Sequence, residues 1–384
     1  MQLDYLSDSA IPSPGANSVN VMKMSQAFAK QGVVVTLYGK LTTACFDTDD
    51  FYRVYDVRPN FTIRRFPATK FRGSGRLYNL RLPYTIATAR GDLQYCRSLP
   101  AAYFNCLLRR PTVFELHEPF DSKGVQLDYM FRQLVRSPHC RFVVISAALR
   151  DYLIEHHGVG EQDILVAHDA ADPIARPSTV FTDPQGRFSV GYVGSLYPGK
   201  GMNRIAQLAE RLPDVAFHIV GGTPDQQTHW QRETAGSRNL TFHGFKQQPE
   251  LPYYLHGFDV LIAPYEAEVY VSEKRGANNL AKWMSPLKLF EYMSAGKPIV
   301  TTRLRVIEEV VEDGKTGLLC TAGAIDEYRR AIERLRDRPT ERQRIGAQAH
   351  ELFAARYTWD KRATSVLNFV RSGLPKESST HLPK

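Results

Sequence analysis

Trp283-Met284-Ser285-Pro286-Leu287-Lys288-Leu289-Phe290-Glu291-Tyr292-Met293-Ser294-Ala295-Gly296-Lys297-Pro298 reads as a helix with both ends marked. Ser285 fits the N-cap, where a hydroxyl accepts from a free N–H of the first turn. Pro286 fits the first helical position, where its missing N–H costs nothing. Leu287, Phe290 and Met293 recur on one face and should pack down. Gly296 and Pro298 stop the helix, and Ile299-Val300-Thr301-Thr302 follows as a strand. The polar residues ask for more than packing. A helix N-terminus offers unpaired N–H groups and a positive dipole end, which suit a phosphate. Lys288 in the first turn is unfavourable there unless an anion is present. Glu291 lies one turn on, on roughly the same side. An anion at the helix start with a carboxylate one turn away suits the phosphates and ribose hydroxyls of a nucleotide. A surface helix carrying an unrelated Lys and Glu is the competing reading.

Strands and helices alternate on both sides of this stretch. Before it, strands are expected over 189–194, 215–220, 240–243 and 259–263, with an amphipathic helix carrying Ile205, Leu208 and Leu212. After it come a strand over 317–320 and helices over 325–336, 340–355 and 359–371. The first half shows the same pattern. A strand over 2–7, a Gly/Pro/Ser loop over 9–16 and a helix with Val21, Met24 and Phe28 on one face lead to a strand over 33–38. Further strands are expected over 62–66, 112–116, 142–145 and 164–167, and Ser146 caps a helix that Gly158 ends. Periodicity fails over 170–187, where Pro173, Pro177 and Pro184 mark a linker. Two successive alternations imply an α/β protein of two doubly wound parallel sheets, each binding ligands at the carboxyl ends of its strands. The loops after Ser7, Leu116, Gly194, Gly244 and Ala263 would then meet across a cleft.

A chain of 384 residues with 43% apolar residues suits two soluble globular domains. No apolar run approaches the roughly 20 residues of a membrane span. The opening, Gln2-Leu3-Asp4-Tyr5-Leu6, reads as a strand and not as a secretory signal. The five cysteines, Cys45, Cys96, Cys106, Cys140 and Cys320, show no metal-type spacing and are expected as free thiols in a reducing compartment. Net charge is +9, and between Arg53 and Arg110 twelve Lys/Arg face two acids, Asp56 and Asp92. Tyr55, Phe61, Phe66, Phe71, Tyr78 and Tyr84 are interleaved. Such a surface suits anionic lipid or a phosphorylated acceptor, with nucleic acid as the competing partner and a plain solvated face as the alternative.

Lys200 stands between Gly199 and Gly201, just after the first strand of the second half. Glycines let backbone approach a ligand, and lysine brings a point charge for phosphate. An exposed turn lysine is the plainer explanation; Lys288 in the same half favours the phosphate. His117 follows the strand over 112–116 and should emerge at the cleft edge, beside Glu118, where it could hydrogen-bond a sugar. Asp47-Thr48-Asp49 matches a metal-binding DxD by letter but sits in an acidic loop with no phosphate loop near it. GxGxxG, HExxH, GxSxG and GxxxxGK[ST] are all missing, which leaves a dinucleotide fingerprint, hydrolase triad or kinase unsupported.

Taken together these residues resemble the retaining family 4 glycosyltransferases of GT-B fold. The resemblance rests on the Pro-rich first loop and its helix, His117 after its strand, Val143-Val144-Ile145-Ser146, and the turn from Asp169 to Asp172. It continues through Gly194-Ser195, Lys200-Gly201 and Phe242-His243-Gly244-Phe245, and is most specific from Ser285 to Pro298. It implies two Rossmann-like doubly wound domains facing an interdomain cleft: residues 1–172 for the acceptor, a linker over 173–186, and 187–358 for the nucleotide-sugar donor. Helix 359–372, opened by Trp359, would pack back on the first domain, with a disordered tail over 374–384. Lys200 would hold the donor diphosphate, Glu291 the ribose hydroxyls, and backbone N–H groups around Ser285, Leu287, Lys288 and Leu289 the phosphate. Phe245 and Lys246 would lie near the base, with Gly194, Ser195 and Gly222 lining the donor. Gly15 and Ala16 would approach the diphosphate, and His117 would face the transferred sugar. Asn17, Glu118, Arg72 and Arg76 are the acceptor candidates.

Two positions depart from the family pattern. Trp283 stands eight residues before Glu291, where the family's first glutamate contacts the donor sugar. Ser195 replaces a frequent basic residue, leaving Lys200 as the main cation, with Arg275, Lys282 and Lys288 as possible substitutes. The resulting expectation is a retaining hexosyltransferase with a nucleoside diphosphate sugar as co-substrate, UDP first and GDP second. It needs no metal or other cofactor and works by same-face attack with the leaving diphosphate as base. Its acceptor would be a glycan or a lipid-linked molecule in cell-surface glycan, polysaccharide or glycolipid synthesis. Its place would be the cytoplasm, peripheral at the inner membrane face, with no nucleic acid partner. A nucleotide-sugar epimerase or hydrolase, or a non-catalytic nucleotide-sugar-binding protein, are the alternatives.

Overall fold

The computed structural model describes residues 1–41, 50–67, 82–120, 124–270 and 279–373. Asp47-Thr48-Asp49, Arg72, Arg76, Arg275 and residues 374–384 lie outside the described residues. Seven strands form the first sheet: β1 (Gln2–Ile11), β2 (Val34–Leu41), β3 (Thr62–Pro67), β4 (Leu93–Cys96), β5 (Thr112–Leu116), β6 (Cys140–Val144) and β7 (Ile164–Val166). Six form the second: β8 (Phe188–Val193), β9 (Val215–Val220), β10 (Leu240–Gly244), β11 (Val260–Ala263), β12 (Ile299–Thr302) and β13 (Leu318–Cys320). The orders are β3-β2-β1-β4-β5-β6-β7 and β10-β9-β8-β11-β12-β13. Every recorded pairing is parallel. Each sheet reverses its winding beside its first strand, β1 or β8, so each has its ligand crevice at that strand's carboxyl end.

Local signals explain most boundaries. Gly32 (φ 77°) ends the helix Ala16–Lys30. The Ser146 hydroxyl accepts from Leu149 N–H at 3.3 Å, and Gly158 (φ 66°) closes the helix Ala147–His157. Two expectations need correction. β1 runs on to Ile11, because Ser7, Ser9 and Ile11 are buried and β1 re-pairs with β2 at Ala10–Lys40 and Ile11–Leu41. Ser285 does not cap its helix. The helix is Leu287–Ser294 with Pro286 at the N-cap position, and the Ser285 hydroxyl accepts Asp169 N–H at 2.8 Å. β4 has no counterpart in the sequence reading, although all four of its residues are buried.

The last helix, Trp359–Gly373, leaves the second sheet and packs on the first helix. Trp359, Ala363, Val366, Leu367 and Val370 join one buried cluster with Val21, Met24 and Phe28. Fully burying a side chain such as Val366 or Leu367 is worth about 1.5–3 kcal/mol. Polar contacts seal the seam between the halves. Glu309 accepts from Ala147 N–H at 2.7 Å and Ala148 N–H at 3.3 Å, which satisfies the start of the helix Ala147–His157. Glu309 also meets His168 Nε2 at 2.8 Å, and Ser146 Oγ donates to the Trp283 carbonyl at 2.9 Å. These contacts bring the opening of the helix Leu287–Ser294 against the first sheet's carboxyl edge.

Candidate functional site

β8 ends at Val193, and Gly194 (φ 149°) turns the chain into the loop that carries Lys200. That loop is pressed onto the chain leaving β11. A Cβ on Gly199 (φ 81°) would come within 1.9 Å of the Glu268 carbonyl oxygen, and one on Gly201 (φ 98°) within 2.1 Å of the Pro264 oxygen. Only glycine tolerates both the positive φ and the close approach, so these two residues set where Lys200 stands.

Lys288 arrives at the same place from its own helix. An ideal Cβ on Gly194 would lie 2.7 Å from Lys288 Nζ, so the absence of a side chain there leaves room for the ammonium. Lys288 Nζ sits 3.8 Å from the Tyr192 ring centroid and 5.5 Å from that of Tyr265, while Lys200 Nζ is 5.6 Å from the same Tyr265 ring. The aromatic faces attract cations. They do not replace hydrogen bonds: Lys288 Nζ and the Tyr265 hydroxyl are buried without a hydrogen-bond partner. Burial, reinforced by Lys200, holds the Lys288 ammonium well below the usual lysine range, against the pull of Glu291. Burial brings Lys200 down to about 8. Glu291 is raised by burial, with Lys288 and Lys23 opposing. Two crowded lysines, one of them without a hydrogen-bond partner, beside the unpaired Tyr265 hydroxyl form a pocket in which an anion would favour the charged lysines.

The first half supplies a buried polar chain. Lys23 Nζ pairs with Asp172 at 2.5 Å, and Asn20 Nδ2 donates to Asp169 Oδ1 at 2.7 Å. Arg97 Nη1 donates to Asn20 Oδ1 at 2.7 Å. Asp169 in turn holds Ser285 of the second half through its backbone. His117 follows β5 and meets Glu115 Oε1 through Nε2 at 2.6 Å. Glu115 is fully buried and also receives Arg362 Nη2 at 3.1 Å and the Tyr95 hydroxyl.

The structure joins Gly194, Lys200, Lys288 and Glu291 into one electrostatic cluster. It puts Ser285 and Leu287 at the seam, Leu287 packing against the first half's core, and buries Leu289 wholly in the second half's core. Ser195 offers its carbonyl to the Tyr192 hydroxyl at 2.6 Å. Gly222 (φ 79°) leaves room for Leu196, and a Cβ there would lie 2.6 Å from Leu196 Cδ1. Phe245 is exposed, and Lys246 Nζ approaches Glu250 at 4.0 Å and the Tyr254 ring at 5.7 Å. Gly15, Ala16 and Asn17 are exposed at the start of the helix Ala16–Lys30, and Glu118 is half-buried beside His117. Trp283 is a wedge in the seam, its ring 5.7 Å from that of Tyr152. Sequence reasoning missed Glu115, Arg97, Tyr95 and Arg362. A carboxylate in the otherwise apolar β5 was the available signal for Glu115; nothing in the chain near Arg362 pointed to it. Among the described residues no group of His, Cys, Asp and Glu is arranged to hold a metal ion, and no helix is long and apolar enough to cross a membrane.

Residues 18–173 match the model described as Glycosyltransferase Family 4, and residues 187–338 match Glycosyl transferases group 1. The chain belongs to the family 4 glycosyltransferases of GT-B fold. This family 4 chain is 25% identical over 233 residues to glycogen synthase of Mycobacterium tuberculosis, covering 58% of this chain and 52% of that one. It is 24% identical over 258 residues to D-inositol 3-phosphate glycosyltransferase of Arthrobacter sp., covering 63% and 58%. The chain thus spans little more than half the length of these relatives. Anabaena HepE in complex with UDP superposes with a TM-score of 0.71 at 18% identity, covering 97% of this chain and 100% of that one.

Proposed function

We propose that this chain is a retaining glycosyltransferase that moves a sugar from a nucleoside diphosphate sugar to an acceptor hydroxyl. The observation that carries the reading is the convergence of Lys200 and Lys288 on the Tyr265 ring, with Lys288 Nζ lying without a hydrogen-bond partner against Gly194 and Glu291 one helical turn away. The cations would neutralise the charge that grows on the departing diphosphate, and Glu291 would accept from ribose hydroxyls. The diphosphate would serve as base for same-face attack. The domains would divide the work as the sequence suggests, with 1–172 facing the acceptor and 187–358 holding the donor. UDP is the preferred nucleotide, supported by the fold shared with a UDP complex, and GDP the second choice.

The decisive experiment is a thermal-shift panel of nucleoside diphosphates and their sugars. A ligand present at a hundred times its Kd adds about 2.7 kcal/mol of stability. No shift with any member would overturn the reading. Glu291→Ala is expected to weaken donor binding by roughly 1.5–3 kcal/mol, as for a lost hydrogen bond to a charged group. Unchanged nucleotide affinity by calorimetry would remove the ribose role.

We further infer a glycolipid or cell-surface glycan acceptor, reached from an anionic membrane surface. Within the stretch from Arg53 to Arg110 the described residues divide between buried and exposed. Tyr55 and Phe61 are buried, and Arg110 donates inward to the Ile86 and Ala89 carbonyls at 2.7 and 2.8 Å. Phe104, Leu107 and Leu108, from the helix Leu99–Leu107 and its end, are exposed, as are Val125 and Tyr129 of the helix Val125–Val135 just beyond it. Arg109, Arg132 and Arg136 are exposed beside them. An apolar patch with basic residues around it matches an anionic bilayer. Leu107→Asp with Leu108→Asp should cut co-sedimentation with phosphatidylglycerol vesicles at least fivefold, since each added charge both repels the lipid and removes apolar area. Equal sedimentation would refute the patch.

A further inference from the structure

We propose that Arg362, on the last helix, is a positioning residue: through Glu115 it fixes His117 as the Nε2–H tautomer, so that Nδ1 becomes an acceptor for a hydroxyl of the transferred sugar. The proposal deepens the glycosyltransferase reading above and rests on it for the identity of the ligand.

The argument starts at Glu115. Its side chain is fully buried on β5, where an unpaired carboxylate would not stay ionised. Three neighbours keep it so. Arg362 Nη2 lies 3.1 Å from Oε1, the Tyr95 hydroxyl donates to Oε2, and His117 Nε2 lies 2.6 Å from Oε1. The Arg362 guanidinium leads the groups that hold Glu115 well below the usual carboxylate range, against the effect of burial. An ionised carboxylate only accepts hydrogen bonds. The proton in the Glu115–His117 contact therefore belongs to His117 Nε2. Burial and the nearby Arg97 lower the His117 pKa, while Glu115 and Asp169 oppose them. At neutral pH the ring then carries one N–H, and Nδ1 keeps a free lone pair.

Arg362 is itself clamped. Its Nε donates to the His168 carbonyl at 2.9 Å and its Nη2 to the Ala167 carbonyl at 3.2 Å. Its side chain is 2% exposed, so its position is set by the docking of the helix Trp359–Gly373 on the first half. The last helix thus decides whether the cleft offers His117 as an acceptor or as a donor. Without the guanidinium, Glu115 is left in a buried site with one cation fewer. It would then take up a proton and donate to Nε2, or draw a second proton onto the imidazole. Either change removes the Nδ1 acceptor.

The test uses the ligand-free full chain labelled with 15N-histidine, with His117→Gln to assign the His117 signals. At pH 7 wild type should show a neutral ring with Nε2 protonated and Nδ1 bare. Arg362→Gln keeps donors for the carbonyls but loses the charge; it should convert His117 to the Nδ1–H or doubly protonated form. Arg362→Lys should preserve the wild-type pattern. A wild-type ring protonated on Nδ1, or an unchanged ring in folded Arg362→Gln, would overturn the proposal. The wild-type spectrum alone decides the first point if the variant does not fold. Sugar transfer by Arg362→Gln should fall at least tenfold with nucleoside diphosphate affinity unchanged. A tautomer result that holds while wild type transfers no sugar would sink the glycosyltransferase reading and leave the Arg362 linkage standing.

Discussion

Lys200→Ala is expected to weaken nucleoside diphosphate binding by about 2–4 kcal/mol, or roughly thirty- to a thousandfold. The upper figure is a unit charge pair at about 4 Å and an effective dielectric near 20; the lower is a lost charge-assisted hydrogen bond. Nucleoside binding should change less than about threefold, because the ammonium would meet the diphosphate and not the base or ribose. Equal losses for nucleoside and nucleoside diphosphate, measured by calorimetry, would refute the phosphate role. The pH dependence sharpens the test. Burial lowers Lys200 to about 8 in the free protein. A bound diphosphate favours the charged form and raises that value. Affinity should therefore be full below pH 8 and fall as pH rises through it, with proton uptake on binding above pH 8. In Lys200→Ala the part of this dependence centred near pH 8 should be lost, leaving only the contribution of Lys288, which burial also holds below the usual lysine range.

Arg362→Ala is expected to destabilise the fold by about 3–5 kcal/mol, the usual cost of removing one partner from a buried ion pair. Glu115 is left in a fully buried site, and the Ala167 and His168 carbonyls lose their donor. The sign follows from Glu115. In wild type its pKa lies below the ordinary 4.5, so the pair contributes stability above pH 4.5 that is lost as pH falls. Removing Arg362 raises that pKa, so the variant loses stability as pH rises instead. The difference should be largest at neutral pH and shrink below about pH 4.5, where Glu115 can be neutral in both folded and unfolded chains. Urea unfolding at pH 4 and pH 7 measures it. A loss under 1 kcal/mol, or one independent of pH, would refute the role of the pair.

Most of the strands were legible because parallel strands buried on both faces read as short apolar runs between amphipathic helices. The strand over 112–116 and those over 215–220 and 259–263 are of this kind. β4 was not legible: Leu93–Cys96 is short and sits in a stretch whose arginines dominate its composition. Composition alone does not say which of those arginines face outward. Arg97 and Arg110 are drawn inward by hydrogen bonds to Asn20 and to carbonyl oxygens, so part of the charge faces the protein and not a partner. Ser285 misled in another way. Its place before Pro286 is a sound capping position, but a partner from the other half, Asp169 N–H, claims its hydroxyl.

The sequence by itself determined the two parallel sheets, the glycine-flanked Lys200, and the Lys288–Glu291 pair at a helix opening. All of these rest on short-range patterns: apolar periodicity, glycines where side chains cannot fit, and charges spaced by one turn. Only the tertiary structure decided that Lys288 reaches Gly194 without a partner and that Trp283 wedges between the halves. It alone joined Arg362 to Glu115 and His117. Those contacts join residues far apart along the chain, and their strength depends on burial that no local pattern encodes. The helix opening at Ser285 was therefore readable as a feature, while its meaning depended on what the other half of the molecule placed against it.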